Sequence, residues 1–271
     1  MEDNPRIRLV AVDLDDTLLT SKGVMAFESA RLLKIAAHND VHVILATGRI
    51  IYSVRDLCAS LEIISPVICT DGAQVYESIN GPIMTSFSFP REIGLEIAKL
   101  ADDHGWELST TLGAVTYWRQ RPGQALGPLL PGRVVAANNS DAIIDDLNRI
   151  LVTNHEAVKD IQILCESKFS EQCRVEIYHN RDGQIDGLGI VPFGVTKGNA
   201  LDSVLHYLEI DQSEVMVIGD DLNDMPMFHH ARISVAMSNA QEEVKKKATA
   251  IAPSNDEEGI VWALTKFRVV F

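Results

Sequence analysis

Apolar residues along the chain follow two alternating patterns: short continuous runs, and longer stretches with apolar side chains every three or four positions. Arg8 to Val12 (RLVAV) is a short run that stops at Asp13. Residues 24–38 have helical spacing, Val41 to Ala46 (VHVILA) is a second run, residues 50–61 are helical again, and Pro66 to Cys69 is a third run. Buried apolar runs alternating with amphipathic helices predict parallel strands joined by βαβ crossovers.

The pattern then changes. Val75 to Glu77, the turn Asn80-Gly81-Pro82 and Ile83 to Phe89 predict a hairpin. Ile93, Ile97, Leu100 and Ala101 share one face of a helix after Pro90, and the Thr-, Val-, Tyr- and Trp-rich stretch 107–118 has strand composition. Residues 121–132, with three Pro and three Gly, read as a loop. A helix near 140–150, a strand at 161–165, a helix near 168–173 and strands at 174–179 and 187–191 complete a mixed α+β middle. After Pro192 the first pattern returns: a helix at 196–208, a strand at 215–218, a helix opened by Pro226, a strand at 233–237, a helix at 240–248, a strand at 250–252 and a helix at 257–267. The expected architecture is a discontinuous α/β domain over 1–82 and 190–271, with an α+β domain over 83–189 inserted in it.

Composition narrows the function. The chain has 271 residues and 46% hydrophobic content, enough for a real core. Its net charge is −14, so nucleic acid and anionic membrane are not expected partners. Residues 1–13 (MEDNPRIRLVAVD) lack the apolar core of a signal peptide, and no apolar run approaches a membrane span. Cys58, Cys69, Cys165 and Cys173 show no zinc-finger spacing. A cytoplasmic protein is expected.

The chemistry lies at the strand ends. Asp13, Asp15 and Asp16 follow the first strand, Thr47 and Gly48 the second, and Asp220, Asp221 and Asp224 a later one. In an open parallel sheet these positions converge on one crevice, where Lys197, at a helix start, can join them. A single Asp after a strand is usually a turn former or helix cap, and a single Lys in a first helical turn is usually solvated. Four such groups together are less easily dismissed. Clustered carboxylates need a cation, and all-oxygen ligands suit Mg²⁺, with Asp13, Asp15 and Asp220 as the expected metal neighbours. A carboxylate can attack a phosphate ester, and a second one two residues on can protonate the leaving oxygen. Lys197 and Mg²⁺ would offset charge on the transferring group, while Thr47 and backbone N–H groups hold its oxygens.

Four motifs carry a resemblance: Asp13-Leu14-Asp15-Asp16-Thr17-Leu18-Leu19, Ala46-Thr47-Gly48-Arg49, Thr196-Lys197-Gly198, and Gly219-Asp220-Asp221-Leu222-Asn223-Asp224. Together they resemble the haloacid dehalogenase (HAD) superfamily, Cof-type class IIB, over nearly the whole chain. The resemblance implies a Rossmann-like core with a parallel sheet and an inserted α+β C2-type cap. It implies Asp13 as nucleophile and metal ligand, Asp15 as general acid/base binding metal through its carbonyl, and Asp220 as the third ligand. Leu14 (through its N–H), Thr47, Gly48, Lys197 and Asn223 would hold phosphate, with Asp224 behind Lys197 or a metal-bound water.

Two positions depart from the common family pattern: Asp16 stands where Gly is frequent, and Asp71 where Asn is frequent. Arg49, Asp71, Tyr117, Arg119, Arg174 and His179 are candidates for substrate selectivity. Asp15 favours phosphatase over dehalogenase chemistry. The expected activity is Mg²⁺-dependent hydrolysis of small phosphate monoesters, such as sugar phosphates or phosphates of the pyridoxal or flavin type. The expected partner is a small phosphorylated metabolite, and the chain is expected as monomer or homodimer. A phosphosugar mutase of the same fold and a non-catalytic sensor of phosphometabolites are the alternatives. A receiver module fits poorly, being a single domain of about half this length.

Overall fold

The computed structural model describes residues 6–119, 131–179 and 184–270. In chain order the longer elements begin with β1 (Leu9–Val12), α1 (Phe27–His38), β2 (His42–Leu45), α2 (Ile51–Ser60), β3 (Val67–Cys69), β4 (Gln74–Tyr76), β5 (Ile83–Ser86) and α3 (Arg91–His104). Next come β6 (Leu108–Leu112), β7 (Val115–Arg119), β8 (Arg133–Ala136), β9 (Arg149–Val152), α4 (His155–Lys168), β10 (Cys173–His179) and β11 (Ile185–Pro192). The chain ends with α5 (Lys197–Leu208), β12 (Val215–Gly219), α6 (Met225–Phe228), β13 (Ile233–Met237), α7 (Glu242–Lys247), β14 (Ala250–Ala252) and α8 (Gly259–Lys266). The chain forms two compact units: residues 1–48, 55–84 and 196–271 make the first, residues 49–54 and 85–195 the second.

The first unit is built on a parallel sheet of order β14-β13-β12-β1-β2. Its central strands are buried on both faces: Leu9 to Val12, Val215 to Ile218 and Val235 to Met237 are all essentially inaccessible. That is why these strands read as continuous apolar runs rather than as alternation. Helix α5 packs Ala200, Leu201, Val204 and Leu205 against this sheet.

The second unit is a six-stranded sheet of order β10-β11-β9-β6-β7-β8. One face is covered by α3 and α4 through Ile93, Ile97, Ala101, Val158, Ile161 and Cys165, packed on Leu108, Ile150, Val152, Leu188 and Ile190. The opposite-facing side chains of β6, β9, β10 and β11 take no part in that cluster.

Most of the expected elements form; four in the second unit differ. The stretch 107–118 is two antiparallel strands, β6 and β7, because Gly113 takes the left-handed conformation (φ 56) and turns the chain between them. No long helix forms at 140–150: Asp102 accepts hydrogen bonds from Asn139 and Ser140, Asp146 accepts one from the Arg91 N–H, and Arg149–Val152 pairs between β6 and β11. The apolar run 161–165 lies inside α4, started by Asn154, whose side chain accepts from the N–H groups of Glu156 and Ala157. Helix α4 ends at Lys168 and β10 begins at Cys173, so residues 169–172 form a turn instead of the expected helix. The loop expected at 121–132 lies almost entirely outside the described residues.

Candidate active site

The sheet register sets the site. Val12 of β1 lies opposite Ile218 of β12 and Leu45 of β2, so Asp13, Gly219-Asp220 and Ala46-Thr47 leave the sheet at one level. The ladder runs slightly past the strands: Asp13 N–H donates to the Ile218 carbonyl at 2.9 Å, Ala46 N–H to Val12 at 3.0 Å and Thr47 N–H to Ile68 at 2.9 Å. This is the carboxyl edge of the sheet, where ligands bind in open α/β folds.

Asp13 is buried and Asp15 is exposed, although they are two residues apart. The turn Leu14–Leu18 separates them: Asp15 is extended and Asp16 is left-handed (φ 58). Thr17, buried in this turn, donates its hydroxyl hydrogen to Asp220 Oδ1 at 2.5 Å.

Lys197 opens α5, whose first turn is capped by Thr196 accepting from the Asn199 N–H at 3.0 Å. Two glycines let this helix start close to its neighbours. A Cβ on Gly72 (φ 94) would stand 2.3 Å from the Thr196 carbonyl oxygen, and one on Gly198 would stand 2.5 Å from that of Pro226. Lys197 is 2% exposed, and its Nζ donates to Asp13 Oδ1 at 2.6 Å and to Asp224 Oδ1 at 2.7 Å. Asp224 spends its second oxygen on the N–H groups of Asp220 and Asp221, at 3.0 and 3.1 Å.

Burial, and then repulsion from Asp224, push the Asp13 carboxyl well above the usual carboxylate range, against the pull of Lys197. Burial and the nearby Asp13 and Asp224 do the same to Asp220. Burial opposes charge on Lys197, yet Asp13, Asp224 and Asp71 outweigh it and hold the ammonium above its ordinary value.

Carboxylate oxygens of Asp13, Asp220 and Asp224 lie within 4.8 Å of one another. Crowded, buried and all-oxygen, this set fits a hard divalent cation. The hydrogen bonds sort it further. Both Asp224 oxygens are engaged by donors, so Asp13 and Asp220 are the carboxylates that would face the ion.

The remaining sequence candidates separate by unit. Thr47 is buried and Gly48 half-buried at the end of β2. Asn223 donates its amide to Asp71 Oδ1 at 3.1 Å, and Asp71, fully buried, has a left-handed backbone (φ 55). Leu14 is buried in the turn after Asp13. Arg49 is half-buried and belongs to the second unit.

In the second unit, Tyr117 is opposite Thr110, which is opposite Ile150 of the core, so Tyr117 and Arg119 lie on the helix-covered face. Arg119 Nη1 is there 3.7 Å from Asp102 and 3.4 Å from the Trp106 carbonyl oxygen. Arg174 is on the opposite face, its Nη2 2.6 Å from Glu176 Oε1 and 2.7 Å from the Val195 carbonyl. His179 closes β10; its side chain is outside the described residues. The same face carries Glu176 and Tyr178, and across the sheet Trp118. The period-two alternation Arg174, Glu176, Tyr178 was the available signal. Thr17 stood inside the first motif without a role; Asn239 and Asn255, which bond to the Asp16 turn, belong to no motif.

The model of haloacid dehalogenase-like hydrolases matches residues 10–264. The chain is 26% identical over 266 residues to the 5-amino-6-(5-phospho-D-ribitylamino)uracil phosphatase YcsE of Bacillus subtilis, covering 95% of this chain and 94% of that one. It is 25% identical to the phosphatase YwpJ of the same organism, over 94% and 97% of the two chains. Among solved structures, a haloacid dehalogenase-like hydrolase from Bacteroides thetaiotaomicron superposes with a TM-score of 0.80 at 24% identity, covering 96% of this chain and 99% of that one. The HAD subclass IIB sugar phosphatase BT4131 gives 0.80 at 22% identity, over 97% and 100%. At these identities the structural likeness speaks for the fold.

Proposed function

The chain belongs to the haloacid dehalogenase-like hydrolase family, and from that premise we propose that it hydrolyses small phosphate monoesters through an aspartyl-phosphate on Asp13, with Mg²⁺ as cofactor. The observation that carries this reading is Lys197 bridging Asp13 and Asp224 beside Asp220. A buried carboxylate fixed by an ammonium is a positioned nucleophile, and the same ammonium offsets charge on an arriving phosphoryl group.

Asp13 and Asp220, with the Asp15 carbonyl, would hold the cation. When bound, Mg²⁺ neutralises the crowded carboxylates and the phosphoryl oxygens. Asp13 attacks phosphorus, and the ester P–O bond breaks as Asp15 gives its proton to the leaving oxygen. Water then attacks the aspartyl-phosphate, Asp15 takes its proton, and inorganic phosphate leaves with the Asp13 carboxylate restored. Thr47, Gly48, Asn223 and the Leu14 N–H hold the phosphoryl oxygens, and Asp224 keeps Lys197 in place.

Residues 1–82 and 190–271 are the proposed catalytic domain, and 83–189 the selectivity domain. Its sheet face opposite α3 and α4, with Arg174, is the stronger source of selectivity than Tyr117 and Arg119, which lie on the helix-covered face. The relatives named for a phosphoribitylamino-uracil and for sugar phosphates support a small hydroxylated ester as substrate. No helix among the described residues is long and apolar enough to cross a membrane, and the four cysteines are buried without a disulfide, which supports work in the reducing cytoplasm.

The test is phosphate release from a panel of sugar, polyol and aryl phosphates, with Mg²⁺ and with EDTA. Release that requires the metal is the expected result. No release from any ester would shift the reading to a mutase or a sensor.

A further inference from the structure

The turn that presents Asp15 is held from the far end of the chain by two asparagines. Asp15 is extended (φ −78, ψ 130) and Asp16 follows it in the left-handed conformation (φ 58, ψ 8). A residue with a Cβ adopts that conformation reluctantly, and it persists where the surroundings hold it. Asn239, just after β13, donates its amide to the Asp16 carbonyl at 2.9 Å. Asn255, just after β14 and 5% exposed, donates its amide to the Leu19 carbonyl at 2.8 Å and reaches Asp16 Oδ1 at 3.4 Å. The two act together, since Asn255 N–H donates to Asn239 Oδ1 at 3.1 Å. Next along the chain, Ser21 N–H donates to Asp256 Oδ1 at 2.8 Å.

These bonds grip the turn at Asp16 and beyond it at Leu19 and Ser21, yet none reaches Asp13, Lys197 or Asp224. Those three fix one another. Asp15 immediately precedes Asp16, so the backbone that carries its carboxyl runs directly into the carbonyl that Asn239 holds. Resting on the catalytic role proposed for Asp15, we propose that Asn239 and Asn255 are positioning residues for its carboxyl. They hold Asp16 left-handed and so aim the preceding side chain at the leaving oxygen. Asp16 is the lever of this arrangement: both asparagines reach it, Asn239 at its carbonyl and Asn255 at its carboxylate, while Asn255 also holds the Leu19 carbonyl.

A defect in leaving-group protonation has a signature that a general loss of structure lacks. An alkyl ester needs a proton on its leaving oxygen; a p-nitrophenyl ester leaves as a stable anion. The experiment measures kcat/KM, which reports the steps up to aspartyl-phosphate formation, for p-nitrophenyl phosphate and for an alkyl phosphate that the wild type hydrolyses. The proteins are wild type, Asn255→Ala, Asn239→Ala and Asn255→Ala with Asp16→Gly. General acid catalysis is worth roughly 10²–10⁴-fold, so misaiming the acid is expected to lower the alkyl value by about tenfold or more. The aryl value should change much less. Asp16→Gly, at ease at positive φ, should return part of the alkyl rate. Equal losses on the two esters, or no loss on either, overturn the proposal. If Asn255→Ala does not fold, Asn239→Ala, which leaves the Leu19 bond intact, carries the same comparison. Wild-type turnover is measured alongside: inactivity there counts against the phosphatase reading, whereas active wild type with ester-independent losses counts against the positioning role alone.

Discussion

Lys197 Nζ lies 2.6 Å from Asp13 Oδ1 and is itself only 2% exposed, so one buried ammonium fixes the orientation of the carboxylate proposed to attack phosphorus. Asp224, fully buried, holds the same ammonium from the other side at 2.7 Å. Removing the cation from such a triad leaves two buried acids facing each other.

Lys197→Ala is therefore expected to be costly beyond activity. Breaking a buried ion pair by removing one partner typically costs about 3–5 kcal/mol. Urea unfolding in EDTA should show a loss of that order. A loss under 1 kcal/mol would mean that the surrounding acids neutralise without Lys197 and that it does not organise the site.

Thr17 is expected to act on the metal through Asp220. Its hydroxyl holds one carboxylate oxygen, which leaves the other to face the cation. Thr17→Val keeps the shape and removes the donor. Losing a partner that orients a metal ligand typically costs roughly 10–100-fold in affinity. Calorimetric titration with Mg²⁺ or Mn²⁺ should show that weakening, with Thr17→Ser close to wild type. Equal affinities for Thr17→Val and wild type would contradict the assignment.

The first unit was largely legible in the sequence. Buried parallel strands such as β1, β12 and β13 announce themselves as apolar runs, and the acids that follow them are placed by topology alone. The second unit was harder to read. Residues 161–165 are as apolar as a strand, and only the Asn154 cap beneath them decides for helix. Residues 140–150 have helical composition, but Asp102, almost forty positions earlier, captures their start. In the candidate site, the motif residues stand out in the sequence because they sit at strand ends. Thr17, Asn239 and Asn255 act through hydrogen bonds to residues far along the chain, and no spacing rule reports those.

Asp102 makes the second unit sensitive to acid. Its carboxylate accepts from the N–H of Asn139 at 2.8 Å and from the N–H and hydroxyl of Ser140 at 3.0 and 2.7 Å. Burial works against its charge, but these bonds outweigh it and lower its pKa below the usual value. A carboxyl that is more acidic folded than unfolded stabilises above its unfolded value, about 3.9, and loses that contribution as pH falls through the folded value. Asp102→Asn should therefore cost about 1.5–3 kcal/mol at neutral pH and progressively less below about pH 4. A cost independent of pH would show that shape, not charge, holds the turn.

The central claim is the covalent step on Asp13. The direct measurement is acid quenching during turnover of an ester labelled in its phosphoryl group, followed by peptide mapping, for wild type and for Asp13→Asn, which is nearly isosteric but a poor nucleophile. The account predicts label on the peptide carrying Asp13 in wild type, and neither label nor phosphate release in Asp13→Asn with its fold intact. Near wild-type phosphate release by Asp13→Asn, or label on another residue, would contradict it.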